Sequence, residues 1–379
     1  MGPAPMAHAD DVRSQQWYLD AMQAEEMWKV STGEGIKVAV VDTGVDPTTD
    51  SLRGQVLPGV DATDAPGEAT DDYTGHGTTV AEYIVGTGEN GGIRGLAPGA
   101  KVIPIRATLE GLEGAEKAAP ASKAVRAAAD SDAQIINLSF GDPNPSADMQ
   151  EAIEYAIAKG KLVFAGTGND GDKDNLANYP ASFPGVVGVG ATDKHGKVAE
   201  FSQHGNSTDL AAPGVDVPTW CDERLQSYCT ESNGTSMATA IASASAALIW
   251  AKNPDWTANQ VLRVLIDTAG RKSKNDVASE YIGYGAVRPR IHLLEGEGDP
   301  GAPDKNPIEA TEPTPSSSTS SPTGESDAKN DDGAAEDQVE KASSESESNS
   351  DLWIYLGAGA AAAVVAAGAF VLVRRTRRT

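Results

Sequence analysis

Short apolar runs alternate with helical stretches over residues 36–190, and this alternation narrows the possible folds more than any other feature. Five runs rich in Val and Ile, bounded by Gly, Pro or Asp, predict buried strands. The order strand–helix–strand implies right-handed crossovers and a parallel sheet covered on both faces. The predicted α/β fold has strands at 36–41, 101–106, 134–138, 161–165 and 186–190, and helices at 75–85, 121–131, 147–159 and 237–251.

Polar residues follow three of the predicted strands. These residues are Asp42, Ser139 and Asn169. The carboxyl ends of parallel strands meet at one edge of the sheet, and functional groups collect there. An Asp in this position is often only a turn former. Whether Asp42 has a catalytic role therefore depends on which residues lie beside it.

Two further residues can join that edge. His76 is flanked by glycines at the start of a predicted helix, which leaves room for a substrate, and Ser236 begins the last predicted helix. A serine there is ordinarily a helix cap. It becomes a nucleophile when a base takes its proton and hydrogen-bond donors receive the oxyanion. Asp42, His76 and Ser236 supply the residue types of a catalytic triad, with Asn169 as a candidate oxyanion donor.

Three blocks carry a family resemblance. Residues 42–44 (Asp-Thr-Gly), 75–78 (Gly-His-Gly-Thr) and 234–238 (Gly-Thr-Ser-Met-Ala) are similar to the signature blocks of subtilisin-like serine proteases. The order Asp…His…Ser is also the one that the triad has in subtilisin. The resemblance implies a three-layer subtilisin-like fold with a mostly parallel central sheet, and a peptidase domain over 35–294.

The resemblance also implies a role for each residue of the site. Ser236 attacks the scissile peptide bond, His76 transfers the proton, and Asp42 orients the imidazole. Asn169 and the backbone N–H of Ser236 hold the oxyanion. The substrate would be a polypeptide, and the chemistry requires no cofactor or metal; structural calcium stays open. The expected substrate-binding residues are Ser139, Phe140, Gly141, Gly166, Thr167 and Gly168.

Charge is distributed unevenly along the chain. The formal net charge is −25, and residues 295–351 hold 16 acidic and 3 basic residues, a difference of −13. Ser, Pro, Thr and Gly make up most of the rest of this segment, which predicts a solvated, disordered linker. The strong acidity argues against nucleic-acid binding, which needs a basic surface.

An uncharged stretch of 22 residues, 352–373, follows the predicted linker. At about 1.5 Å per residue, a helix of this length spans a hydrocarbon core of roughly 30 Å. Four arginines lie in 374–379. We therefore expect a single-pass membrane protein with an extracellular catalytic domain and a basic cytoplasmic tail.

The N-terminus and the two cysteines agree with an extracellular location. Residues 1–9 resemble the end of a secretory signal peptide, which predicts a true start further upstream. Residues 10–34 are expected to form an extension that packs on the catalytic domain. It would lie either across the cleft or away from it. The segment is too short to be a folded inhibitory pro-domain. Cys221 and Cys229 favour a disulfide, because no second Cys/His pair accompanies them for zinc.

The whole architecture resembles the mycosins, the membrane-bound subtilases of actinobacterial type VII secretion systems. An N-terminal segment with Gln16-Trp17-Tyr18-Leu19 and Trp28, an acidic linker and a C-terminal anchor carry this likeness. It implies a partner in the secretion membrane complex. Two alternatives remain: a mainly structural component of that complex, or a general surface protease.

Overall fold

The computed structural model describes residues 10–107, 119–222, 224–271 and 278–308. They form a seven-stranded sheet in the order β2-β3-β1-β4-β5-β6-β7, and every pairing in it is parallel. An antiparallel hairpin, β8–β9, lies outside this sheet. The strands are β1 Lys37–Asp42, β2 Val60–Asp61, β3 Lys101–Arg106, β4 Ile135–Leu138, β5 Leu162–Gly166, β6 Val187–Thr192, β7 Leu210–Pro213, β8 Val217–Trp220 and β9 Tyr228–Ser232.

Helices cover both faces of the sheet. One apolar cluster joins the sheet to α4 and α7, and a second joins the opposite face to α5 and α6. The predicted three-layer α/β fold is therefore confirmed. The helices are α1 Asp10–Gln15, α2 Trp17–Ala21, α3 Ala24–Trp28, α4 His76–Val85, α5 Ala121–Asp130, α6 Ala147–Ala158, α7 Thr235–Lys252, α8 Ala258–Asp267 and α9 Pro289–Glu295, with a 3-10 turn at Glu89–Gly91.

Helix α7 is buried along most of its length because its side chains are small. Thirteen successive residues after Ser236, from Met237 to Ile249, are all buried, and most of them are Ala, Ser or Thr. Buried hydroxyls need partners, and Ser243 donates to Asn137 Oδ1 of β4 at 2.9 Å. This close packing holds the first turn of α7 at the carboxyl edge of the sheet.

The N-terminal segment packs deeply against the same layer. Tyr18 is fully buried and stacks on Tyr83 of α4, with ring centroids 5.5 Å apart. The buried Gln16 pairs with the backbone of Arg94 through both of its amide atoms, at 2.8 and 3.0 Å. Trp28 Nε1 donates to the carbonyl oxygen of Leu96. These contacts fasten the segment to α4 and to the loop after it.

Residues outside the described ranges include several that the sequence singles out. The predicted signal-peptide remnant 1–9, residues 309–351 of the predicted linker, the span 352–373 and the tail 374–379 lie there. Residues 295–308, which the sequence assigns to the linker, are described: Thr257 and Asn259 donate to the carbonyl oxygen of Pro303, so this part packs on the catalytic domain. Within the ranges that are described, no helix has the length and apolarity needed to cross a membrane.

Helix α4 carries a buried carboxyl group. Glu82 is 0% exposed, and it accepts hydrogen bonds from Thr49 Oγ1 at 2.8 Å and Tyr228 Oη at 2.9 Å. Burial raises the pKa of Glu82 to about 8, although the two hydroxyl donors act in the opposite direction. The folded state therefore keeps a proton on Glu82 at neutral pH that the unfolded state releases.

We expect the replacement Glu82→Gln to stabilise the protein increasingly as pH rises. Between the ordinary pKa of 4.5 and about 8, the folded state binds more protons at this site, so the wild type loses stability with rising pH. Gln does not titrate, and its gain saturates above pH 8 at an upper limit on the order of 5 kcal/mol. Thermal unfolding at pH 5 and pH 9 measures this difference. The exposed Glu89 provides the control Glu89→Gln, and an equal response from both variants would refute the prediction.

Candidate active site

An acid–imidazole pair lies at the carboxyl edge of the sheet. Asp42 ends β1 and is 2% exposed, whereas His76 begins α4 and is 39% exposed. His76 Nδ1 lies 2.6 Å from Asp42 Oδ1. The backbone N–H of Thr43 also donates to Asp42 Oδ1, at 2.8 Å. A buried carboxylate in this position selects the imidazole tautomer with the proton on Nδ1, which leaves Nε2 able to accept a proton.

Glycine at position 77 permits this approach of α4 to β1. A Cβ on Gly77 would overlap the carbonyl oxygen of Gly44 and would lie 3.0 Å from the Cβ of Asp42. Any larger residue would therefore push the first turn of α4 away from Asp42.

Ser236 is the second residue of α7 and is half-buried. Its hydroxyl donates to the carbonyl oxygen of Ser139 at 3.3 Å, and the Ser139 hydroxyl donates to the carbonyl oxygen of Ser236 at 3.2 Å. These reciprocal bonds join the start of α7 to the turn after β4. Since α4 and α7 pack side by side on one face of the sheet, His76 and Ser236 open neighbouring helices.

The amide of Asn169 is oriented by the same helix start. Asn169 follows β5, and its Oδ1 accepts from the backbone N–H of Thr235 at 2.9 Å and from the Thr235 hydroxyl at 3.1 Å. Because Oδ1 faces Thr235, the donor Nδ2 is turned away from that residue. The side chain is exposed and lines a cavity together with Ser236. The arrangement offers an N–H donor beside the serine.

This cavity has a volume of about 550 Å³. Five of the six predicted substrate-binding residues line it: Ser139, Phe140, Gly141, Gly166 and Gly168. Thr167 does not line the cavity, since it is 1% exposed and its hydroxyl donates to the carbonyl oxygen of Val189 at 3.4 Å. Successive residues of an extended chain face opposite sides. Gly166 and Gly168 face the cavity, so the side chain of Thr167 points away from it.

Two cavity residues were not anticipated from the sequence. Asn178 and Gln203 line the same space, and each approaches a glycine closely. A Cβ on Gly141 would overlap the Asn178 amide, and a Cβ on Gly168 would overlap Gln203 Oε1. Gly168 also has φ +109, which favours glycine. No local motif marks Asn178 or Gln203, because their glycine partners lie more than 30 residues away in sequence.

A third unanticipated residue is Asp72, in the loop before α4. Its carboxylate accepts hydrogen bonds from the start of α4 and from Thr43. The sequence does contain one signal for this role. Asp72 lies three residues before Gly75, the N-cap residue of α4, and carboxylates near a helix start commonly accept from its free N–H groups.

Cys221 and Cys229 form a disulfide across the β8–β9 hairpin. The hairpin is fastened to α4, because Tyr83 Oη donates to the carbonyl oxygen of Pro218 at 2.7 Å. Among the described residues, no group of three or more His, Cys, Asp or Glu side chains is arranged to hold a metal ion.

Comparisons with known proteins identify the family of this chain. Residues 33–285 match the subtilase family. The chain is 36% identical over 261 residues to subtilisin Savinase of Lederbergia lenta, covering 68% of this chain and 92% of that protein. It is 35% identical over 238 residues to the major intracellular serine protease of Bacillus subtilis, covering 61% and 73% of the two chains.

Solved structures of proteases are also similar to this chain. The structure of MycP3 protease from the type VII (ESX-3) secretion system is similar with a TM-score of 0.62 and 28% identity, over 73% of this chain and 88% of that one. MycP1 from Mycobacterium smegmatis is similar with a TM-score of 0.63 and 26% identity, over 76% and 86%.

The fold and the family match define the class of protein: the chain is a serine endopeptidase. It belongs to the subtilase family, whose match covers most of the described residues. The predicted family is thereby confirmed.

Proposed function

We propose that the chain hydrolyses peptide bonds through Asp42, His76 and Ser236, by way of an acyl-enzyme. The observation that carries this proposal is the 2.6 Å contact between His76 Nδ1 and the buried Asp42. Such a contact stabilises the imidazolium that forms when Nε2 accepts a proton. The hydroxyl of Ser236, at the start of the neighbouring helix, would supply that proton.

The reaction begins when the Ser236 hydroxyl leaves the Ser139 carbonyl and turns towards His76. His76 Nε2 takes the hydroxyl proton as Oγ attacks the scissile carbonyl carbon. The resulting oxyanion accepts hydrogen bonds from Asn169 Nδ2 and from the backbone N–H of Ser236. His76 then protonates the leaving amine, and water hydrolyses the ester in a second cycle of the same steps.

The substrate lies as an extended strand beside residues 139–141. Backbone pairing of this kind holds a peptide independently of its sequence, and pockets for side chains provide selectivity. The cavity beside Ser236 has the position required to take the side chain that precedes the cleaved bond. Its lining combines Phe140 with the amides of Asn178 and Gln203.

We infer in addition that the protein acts at the cell membrane, in association with a type VII secretion complex. The likeness to MycP3 and MycP1 supports this inference. The acidic segment 309–351 and the uncharged stretch 352–373 provide a linker and an anchor. The catalytic domain then faces the outside, the tail 374–379 is cytoplasmic, and the substrate is a protein that the system exports or contains.

Labelling with a fluorophosphonate probe tests the proposed nucleophile in the full-length protein. We expect an adduct on Ser236, located by peptide mass mapping, in protein whose N-terminal segment is intact. The described residues of 10–34 support this, because none of them lines the cavity beside Ser236. Labelling that requires prior trimming of residues 10–34 would contradict this expectation. A folded sample that never labels would refute the proposed site.

A further inference from the structure

The start of α4 has backbone donors that its own N-cap residue does not satisfy. The first N–H groups of a helix lack partners within the helix, and the N-cap, Gly75, has no side chain to accept from them. Side chains from the loop before the helix and from the turn after β1 accept these hydrogen bonds instead. Gly75 N donates to Asp72 Oδ1 (2.9 Å), His76 N to Thr74 Oγ1 (3.2 Å), Gly77 N to Thr43 Oγ1 (3.0 Å) and Thr78 N to Asp72 Oδ2 (2.8 Å).

Asp72 is the centre of this network. Its Oδ2 also accepts from the Thr78 hydroxyl at 2.6 Å, and its Oδ1 accepts from the Thr43 hydroxyl at 2.8 Å and from the backbone N–H of Thr74 at 3.1 Å. A carboxylate that accepts several N–H and O–H donors makes charge-assisted hydrogen bonds, which are stronger than neutral ones. Its negative charge also lies at the positive end of the α4 dipole. One side chain thus connects the turn after Asp42 with the turn that carries His76.

The Thr43 hydroxyl links Asp72 to the triad carboxylate. Thr43 Oγ1 lies 2.8 Å from Asp72 Oδ1 but 3.3 Å from Asp42 Oδ1, and it has a single proton to donate. The shorter contact indicates that this proton goes to Asp72. Asp42 Oδ1 therefore keeps its accepting capacity for His76 Nδ1 and the Thr43 backbone. Without Asp72, the hydroxyl would turn to Asp42 and compete with the imidazole.

We propose that Asp72 is a positioning residue for the His76–Asp42 pair, acting through Thr43 and the first turn of α4. This inference rests on the proposed roles of Asp42 and His76. The hydrogen bonds of Asp72 go to Thr43 and to the first turn of α4, so it acts on the pair through these groups. Its loss should affect the chemical step more than substrate binding, because small misplacements of a catalytic base lower the rate strongly.

The test is a steady-state comparison of wild type with Asp72→Asn, using a peptide substrate and active-site titration with the fluorophosphonate. We expect kcat per titrated site to fall by about 10- to 100-fold, with KM within about twofold. The acid limb of the pH profile of kcat/KM should move to lower pH. The lost negative charge near His76 disfavours the imidazolium, and transfer of the Thr43 proton to Asp42 would act in the same direction.

The matched control is Asp71→Asn, in the same loop and with the same change of charge. Asp71 accepts a hydrogen bond from the Glu68 backbone at 2.9 Å and has no bond to α4 among the described contacts. We expect kcat within about twofold of wild type. Equal kcat and equal acid limbs for both variants would overturn the inference, whereas a wild type without activity would overturn the proposed function instead.

A second pair of variants covers the case in which Asp72→Asn does not fold. Thr43→Val removes the hydroxyl that joins Asp72, Asp42 and Gly77, whereas Thr43→Ser keeps it. We expect kcat per titrated site to fall by about 10-fold or more for valine and to be restored by serine. Equal activity of the two variants would show that the network does not position the pair.

Discussion

Replacement of Ser236 with alanine is expected to lower kcat by about 10⁶-fold, a loss of the size that triad serines show in subtilisin. Only the hydroxyl is removed, and its one recorded bond, to the Ser139 carbonyl, is long at 3.3 Å. The fold should therefore persist, with a melting temperature within a few degrees of wild type. Peptide hydrolysis and fluorophosphonate labelling measure the loss, and circular dichroism verifies the fold.

The control for this variant removes the hydroxyl of an exposed serine. Ser227 lies in the disulfide loop, where its hydroxyl donates to Asp222, and Ser227→Ala should keep full activity. Hydrolysis by Ser236→Ala within tenfold of wild type would show that another group is the nucleophile.

The same variant separates the enzyme from a mainly structural component of a secretion complex. In cells, a scaffold should support secretion with Ser236→Ala in place, whereas a processing protease should not. A general surface protease would differ from both, because its loss should abolish broad cleavage of unfolded protein without any effect on secretion. All four proposed catalytic positions are occupied by chemically competent residues, which favours the enzyme.

The second large effect is expected at Asn169. The replacement Asn169→Ala removes the side-chain donor for the oxyanion, and such losses typically lower kcat by about 10²- to 10³-fold with little change in KM. A stopped assay with a chromogenic peptide measures both constants. Alanine also removes Oδ1, which anchors the start of α7 through Thr235, so a second variant is needed to separate the two roles.

Asn169→Asp makes this separation. The aspartate keeps an oxygen that can accept from Thr235, but it replaces the Nδ2 donor with an oxygen that repels the oxyanion. We expect a loss of kcat at least as large as that of Asn169→Ala. Activity close to wild type in Asn169→Asp would mean that Asn169 acts by anchoring α7 and that the oxyanion is stabilised by other groups.

The local pattern of apolar residues was enough to predict the strands that are rich in Val and Ile. Strands β1, β3, β4, β5 and β6 were all predicted to within two residues, because their Val and Ile side chains fill a core on both faces. Strand β7 has the sequence Leu-Ala-Ala-Pro and was not predicted. It contains no β-branched residue, and it becomes a strand because β6 offers it a partner edge.

The β8–β9 hairpin and helix α9 were not predicted for a related reason. Strand β9 contains the exposed polar residues Thr230 and Glu231, and the hairpin that it forms with β8 is held by a contact with α4. Helix α8 differs, because the sequence does contain a signal for it: a capping box from Thr257 to Gln260 and a strong apolar face. Helix α9 is only seven residues long and is fixed by packing on α7.

By itself, the sequence determined the family and the identities of the proposed triad, because short motifs with glycine and a reactive side chain mark Asp42, His76 and Ser236. Only the tertiary structure decided which residues surround them. Asp72 reaches Thr43 across 29 positions, and Asn178 meets Gly141 across 37 (178 − 141). Contacts of this range depend on how the strands are ordered in the sheet, and local periodicity contains no information about that order.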